Sequence, residues 1–369
     1  MLPDNMNRNH YCIIMAGGAG TRLRPISRTD FPKQFIEVGN TGKSFLRTTY
    51  DRFAGFFIPE NIIVVTNSRY KNLVKQQIPE LDDSNILAEP YSRNTAPCVA
   101  YATYTLLKRN PDAAMVVTPA DHLIFDEDKF RETIINALDY AAREKVLMTI
   151  GLMPTRPDTN YGYIQVTGGK NACHADKAVK VKTFTEKPDA DLARVFVDSG
   201  EFLWNSGIFA WTAQSIKEEM EKYLPEVTRL FTGWEKTLGS KAEEDFIARV
   251  YTDCLNISID YAVMEKTDRA WLYPATFGWA DIGSWESLQE FYPYKDTLGN
   301  AVIAEKTLTS ENHNSIFISN ARNKLVAIKG LKDYMVIDTD DVLLICPKND
   351  KSFKDFMAGI AMPEYEKYR

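Results

Sequence analysis

The chain lacks the features that would mark several common protein classes. Its five cysteines, Cys12, Cys98, Cys173, Cys254 and Cys346, lie far apart, are odd in number and include no CxxC pair. That argues against a disulfide scaffold or a structural zinc site and suits a reducing compartment. No run approaches 18 consecutive apolar residues, so no segment reads as membrane-spanning. The polar start MLPDNMNRNH is followed at residues 11–16 by an apolar run too short for the core of a signal peptide. Positive charge is not in excess either: 44 Lys and Arg stand against 50 Asp and Glu, a net charge of −6. The whole-chain field therefore favours neither nucleic acid nor an anionic membrane. A cytoplasmic protein with neither as a partner is expected, and an anionic ligand would need Lys and Arg gathered locally.

What is present is a regular alternation. Short runs at 11–16, 61–66, 85–89, 114–119 and 146–151 are rich in Ile, Val, Leu and Met and read as buried strands. Between them 44–56, 68–77, 95–108 and 128–144 have helical spacing, with Asp128 as the expected N-cap of the last. The pattern predicts an α/β, Rossmann-like, mixed and mostly parallel sheet flanked by helices. In such sheets ligands bind beyond the carboxyl ends of the strands. The unusual segments 17–22, 89–97 and 118–126 follow the first, third and fourth runs, so all three are expected at one site.

The middle of the chain adds strand-like pieces at 163–166, 179–186, 208–211 and 271–276 and a helix at 235–251. Beyond Tyr292 short β-like runs recur at 301–304, 315–319, 324–328, 334–338 and 342–346. The expected division is a disordered stretch 1–10, a main domain 11–292 and a small C-terminal β domain 293–369 with a terminal helix near 351–360.

The most distinctive segment is IIMAGGAGTRLRPISRTDFPKQF, residues 13–35. Gly17, Gly18 and Gly20 follow a buried run, so the backbone can turn sharply and approach a ligand closely. Consecutive N–H groups in such a turn form an anion-binding nest. Arg22, Arg28 and Lys33 supply the local positive charge. A P-loop is excluded because no Lys-Ser or Lys-Thr follows at the required spacing. A dinucleotide fingerprint is excluded because Leu23 stands where its third glycine belongs, and Pro25 and Pro32 interrupt the helix that should follow. A plain basic turn with a solvated Lys33 is the remaining alternative.

GGAGTRLRPISRTDFPKQF resembles the signature of the bacterial mannose-1-phosphate guanylyltransferases, within the wider sugar nucleotidyltransferase family. Further matches run in order along the chain: EPYSRNTAP (89–97), TPADHLI (118–124), PTRPDTNYGYI (154–164), FTEKPD (184–189), LWNSGIF (203–209), SIDYAVMEK (258–266) and WADIGSW (279–285). The resemblance implies a nucleotidyltransferase fold and the reaction of GTP with mannose 1-phosphate to give GDP-mannose and pyrophosphate. No protein nucleophile is needed, because catalysis rests on positioning and on neutralising several negative charges.

By this resemblance Arg22 contacts the departing phosphates and Lys33 bridges the reacting ones, with Arg28 a less direct contributor. Gly17, Gly18, Gly20 and Thr21 belong to the nucleotide site. Asp121 and Asp281 are the expected Mg²⁺ ligands, since that ion takes one or two carboxylates together with phosphate oxygens and water. His122 reads as structural and Asp126 as a turn or cap residue. Guanine presents adjacent N1–H and N2–H₂ donors. Either Glu89 or backbone groups of Arg93, Asn94 and Thr95 are expected to read them, while Thr95 and Pro97 also suit a helix start. For the sugar phosphate the matched positions are Tyr161, Gly162, Glu186, Lys187 and Asn205. Asn160 stands where the family usually has glycine, and Asn tolerates left-handed backbone angles. Trp204, Trp279 and Trp285 are expected to pack the core or the pocket wall.

Two rivals remain open: another NTP and hexose 1-phosphate pair, or a non-catalytic regulator that binds nucleotide sugar. The family also suggests a homodimer. Long members carry a fused cupin-type isomerase, for which the stretch after Tyr292 is too short, so a single activity is expected.

Overall fold

The structure, a computed structural model, describes residues 6–18, 20–37, 42–174, 176–321, 323–348, 350 and 352–369. Residues 1–5, half of the stretch expected to be disordered, lie outside the described residues, and His10 already belongs to the first strand. The chain forms two compact units, each discontinuous in sequence. One comprises Met1–Gly17, Thr49–Ala120 and Ile124–Trp279; the other comprises Gly18–Thr48, Asp121–Leu123 and Ala280–Arg369.

The first unit is built on a nine-stranded sheet. Its strands are β1 (His10–Met15), β2 (Ile62–Asn67), β3 (Ile86–Glu89), β4 (Ala114–Pro119), β6 (Leu147–Leu152), β7 (Tyr163–Val166), β8 (Val179–Thr185), β9 (Phe202–Thr212) and β10 (Ala270–Ala275). β5 (His122–Ile124) pairs instead with β11 (Trp279–Asp281). The sheet order is β3-β2-β1-β4-β9-β6-β10-β8-β7. The pairs β2–β3, β1–β2, β1–β4 and β6–β10 are parallel, whereas β9 runs antiparallel to β4 and β6, and β8 to β10 and β7. All strands but β8 and β9 therefore point the same way. This is the mixed, mostly parallel α/β sheet expected, and it places the ends of β1, β3 and β4 along one edge.

The apolar runs form strands because both faces of the sheet are covered: every residue of β2 and of β6 is buried. The covering helices include α1 (Phe45–Ala54), α2 (Lys71–Gln77), α3 (Thr95–Arg109) and α4 (Glu127–Glu144). Two caps differ from expectation. Asp126, not Asp128, caps α4 by accepting the Lys129 N–H at 3.0 Å. Asn94, not Thr95, precedes α3, with its side chain accepting the Thr95 N–H at 2.9 Å. The expected helix at 235–251 is two helices, Trp234–Thr237 and Glu243–Asp253. Gly239, at φ +71, breaks the run between them.

The second unit holds the C-terminal strands β12 (Ala301–Ile303), β13 (Lys306–Ser310), β14 (Ile316–Ser319), β15 (Leu325–Lys329), β16 (Tyr334–Asp338) and β17 (Leu343–Pro347). Strands β12 to β16 alternate between two sheets, β12-β14-β16-β17 and β13-β15, and β17 adds to the first; pairing is parallel except at β16–β17. The inward side chains of the four-stranded sheet pack with Leu23, Phe45, Ile282 and Trp285 in one apolar cluster. The helix Phe353–Ala358 follows. Among the described residues, no helix is long and apolar enough to cross a membrane.

Candidate active site

The glycine-rich loop is shaped by contacts that forbid larger residues at chosen points. Gly20 has φ +59, and a Cβ there would lie 2.4 Å from Lys33 Cβ, so only glycine lets the two segments touch. Gly18 is exposed, and an added Cβ would meet nothing within 4 Å. The chain then forms a short 3-10 turn, Thr21–Leu23, with Thr21 and Arg22 exposed and Leu23 buried. Trp285 Nε1 donates to the Arg24 carbonyl at 3.1 Å. The Arg22 guanidinium lies against Gly283, where a Cβ would approach Nη1 to 3.2 Å. Arg28 has a different task. Its guanidinium donates to Asp341 Oδ2 at 2.9 Å and reaches Thr339 Oγ1 at 3.4 Å.

Lys33 is 6% exposed and sits in a second 3-10 turn, Lys33–Phe35. Its Nζ lies 2.8 Å from Asp121 Oδ2 and 3.2 Å from Asp281 Oδ1, and 5.6 Å from the centre of the Phe45 ring. A buried ammonium is costly unless paired. Burial is the largest single influence and opposes its charge, but the two carboxylates together hold Lys33 above the usual lysine range. Burial likewise works against the Asp121 charge. Lys33 and then His122 outweigh it, leaving that carboxyl below its ordinary range. Asp121, His122 and Asp281 can each offer one ligand atom, all within 4.8 Å of one another. Two hard carboxylate oxygens suit a divalent cation. His122, read from sequence as structural, is thus placed among the potential ligands.

In the other unit, Glu89 ends β3 and is 5% exposed. Its Oε1 accepts the Tyr251 hydroxyl at 2.8 Å, and a Cβ on Gly17 would lie 3.0 Å from Oε2. Burial pushes its carboxyl up to about 7, against the opposing pull of the Tyr251 hydrogen bond. Arg93 donates to the carbonyls of Tyr251 and Thr252 at 3.0 and 3.2 Å, so its side chain ties two backbone segments together. Thr95 Oγ1 accepts the Ile259 N–H at 2.9 Å.

A second polar group lies where β9 passes from β7 to β6. Asn205 N donates to the Gly162 carbonyl at 2.8 Å. A Cβ on Gly162 would come within 2.3 Å of Glu186 Oε2, so the glycine admits that carboxylate. Glu186 Oε1 pairs with Lys187 Nζ at 2.8 Å. Lys187 adopts φ +48, an uncommon backbone for a residue with a side chain. Tyr161 packs edge-on to Trp204 and Trp279 at 5.0 and 5.2 Å, with Trp204 buried and Trp279 half-buried. Sequence reasoning missed Asp260, which accepts from Asn205 Nδ2 at 2.9 Å. Only its place within the quoted SIDYAVMEK segment pointed to it.

Residues 11–295 match the family described as Nucleotidyl transferase. The chain belongs to that family. It is 40% identical over 348 residues to a mannose-1-phosphate guanylyltransferase of Salmonella montevideo, covering 91% of this chain and 70% of the relative. A mannose-1-phosphate guanylyltransferase of Escherichia coli K12 is 37% identical, covering 92% of this chain and 70% of its own length. A crystal structure described as a mannose-1-phosphate geranyltransferase from Thermus thermophilus is 30% identical with a TM-score of 0.82, covering 95% of this chain and 98% of that one. Nucleotidyltransferases generally use a divalent metal, and among the described residues the Asp121, His122 and Asp281 group is an arrangement that could hold one.

Proposed function

We propose that the protein transfers GMP from GTP to mannose 1-phosphate, giving GDP-mannose and pyrophosphate. The observation that carries this reading is Lys33, buried between Asp121 and Asp281 beside a glycine-shaped loop. A phosphate oxygen of the sugar phosphate attacks the α-phosphorus of GTP in line. The bond from that phosphorus to the bridging oxygen of the β-phosphate breaks, and pyrophosphate leaves with the electron pair. No covalent enzyme intermediate forms. The required work is positioning and charge neutralisation, which the glycine-rich loop and the cations Arg22 and Lys33 would supply.

In this reading Gly17, Gly18, Gly20 and Thr21 cradle the nucleotide, Arg22 holds the departing phosphates, and Lys33 bridges the reacting ones. Asp121 and Asp281 would hold Mg²⁺, which when bound supplies further positive charge to the phosphates. Guanine is read by Glu89 or by the backbone of Arg93, Asn94 and Thr95, the Arg93 side chain being already engaged. Glu186, Gly162, Tyr161 and Asn205 receive the hexose. Lys187 pairs with the sugar phosphate once it leaves Glu186. The guanylyltransferase names of the two relatives support the choice of substrates. We place the protein in the cytoplasm as a homodimer; its five cysteines are all free.

A pyrophosphate-release assay that crosses GTP, ATP, UTP and dTTP with mannose, glucose and fucose 1-phosphates tests the reading. GTP with mannose 1-phosphate should give the highest kcat/KM. Activity with UTP or dTTP but not GTP would refute the guanylyl assignment, and no activity on any pair would favour a regulatory role.

A further inference from the structure

The sugar subsite proposed above contains a side chain whose hydrogen bonds are almost fully spoken for. Asn205 Oδ1 accepts the Thr149 hydroxyl at 3.0 Å and the Gly207 N–H at 3.2 Å. A carbonyl oxygen has two lone pairs, so this one has none left for a ligand. Asn205 Nδ2 gives one of its two hydrogens to Asp260 Oδ1 at 2.9 Å. One amide hydrogen therefore remains. The Gly207 N–H can only donate, so it marks Oδ1 as the acceptor, and the hydroxyl of Thr149, which is fully buried, gives its hydrogen to the same oxygen. Asp260 is the opposite marker, because an ionised carboxylate only accepts. Together they define the amide orientation from both ends.

Asp260 opens a single π-type turn, Asp260–Met264, a form that recurs at functional sites. Burial and then the nearby Glu186 charge push its carboxyl up to about 6, although Asn205 counters them. Holding a second carboxylate close to Glu186 is unfavourable for folding. The pair is not explained by ion pairing alone, since only Glu186 contacts Lys187 directly. Glu186 Oε2 is buried and has no hydrogen-bond partner, and it is the oxygen that Gly162 makes room for.

We propose that Asp260 is a positioning residue of the sugar subsite, acting through Asn205 so that the amide offers a hydrogen and not an oxygen to the hexose. The subsite then presents one fixed donor, Asn205 Nδ2, and one fixed acceptor, Glu186 Oε2. It selects a hexose 1-phosphate whose hydroxyls accept from the first and donate to the second. This inference rests on the sugar-binding reading of Glu186 and Asn205.

The test is a double-mutant cycle with Asp260→Ala, Asn205→Ala and the combination, using the hexose 1-phosphate that the native protein turns over best. Each single substitution should raise KM for the sugar phosphate roughly tenfold while leaving KM for GTP within about twofold. The combination should be no worse than Asn205→Ala alone. Asp260→Asn keeps an oxygen acceptor and should restore most of the affinity. Thr149→Val should raise the sugar KM several-fold without the charge change. Multiplying effects of Asp260→Ala and Asn205→Ala, or an equal rise in both KM values, would overturn the proposal. So would a fall in melting temperature with no change in either KM. If Asp260→Ala does not fold, Thr149→Val and Asp260→Asn decide the matter by the same split. If the native protein turns over no hexose phosphate with GTP, the proposed reaction fails. The cycle is then read from calorimetric affinities for mannose 1-phosphate, where loss of affinity on Asp260→Ala supports the inference and no change refutes it.

Discussion

Replacing Glu89 with Gln should stabilise the protein at alkaline pH, and the size of the effect follows from its burial. Glu89 is 5% exposed with the Tyr251 hydroxyl on Oε1, and its carboxyl is raised from 4.5 to about 7. That displacement corresponds to roughly 3 kcal/mol. The sign follows from proton uptake. Between pH 4.5 and 7 the folded carboxyl still holds a proton that the unfolded chain has lost. Its contribution is complete below about pH 4.5, declines as pH rises, and is gone above about 7. A glutamine keeps an oxygen for Tyr251 and has no proton to lose. Urea unfolding of both proteins at about pH 5 and about pH 8 measures the difference. Glu89→Gln should gain roughly 2.5 kcal/mol on the native protein between the two pH values. A gap that does not change with pH would refute the argument. If Glu89 reads guanine as proposed, the same variant should also lose preference for GTP.

Lys33→Ala should lower turnover by roughly 10² to 10³ with the circular dichroism spectrum unchanged; near-normal pyrophosphate release would remove Lys33 from the mechanism. Gly20→Ala forces a Cβ to 2.4 Å from Lys33 Cβ at φ +59 and should cost roughly 1–3 kcal/mol by thermal melting. Gly18→Ala, with nothing within 4 Å, should leave the melting temperature unchanged, and equal effects of the two would contradict the loop geometry. Millimolar Mg²⁺ should raise the melting temperature of the native protein but not of Asp281→Asn; an equal shift in both would remove Asp281 from the metal site. Gly162→Ala brings a Cβ to 2.3 Å from Glu186 Oε2 and should raise KM for mannose 1-phosphate roughly tenfold, while an unchanged KM would show that the carboxylate is not needed there.

The parallel strands are legible in the sequence because fully buried apolar runs leave few alternatives to a covered sheet. Caps are harder to read: Asp126 and Asp128 are both suitable residues near the α4 boundary, as are Asn94 and Thr95 at α3, and only backbone angles decide between them. β9 extends from Phe202 to Thr212, well beyond the run at 208–211, because Asn205, Ser206 and Gly207 look like a loop in sequence. β13 is hidden since all five of its residues are exposed, which removes the alternation that marks a half-buried strand. At the site, motif resemblance brings forward Lys33, Asp121 and Asp281. The fold shows what no motif can, a lysine bonded to carboxylates far away in sequence, 248 positions in the case of Asp281. Asp260 is invisible for the same reason: its partner Asn205 is 55 residues away.

The most direct measurement is phosphorus NMR of purified protein incubated with GTP, mannose 1-phosphate and Mg²⁺. The account predicts loss of the three GTP resonances and of the sugar phosphate signal, with equal amounts of a sugar-linked diphosphate and free pyrophosphate appearing. Formation of GDP and inorganic phosphate, or unchanged spectra, would contradict it.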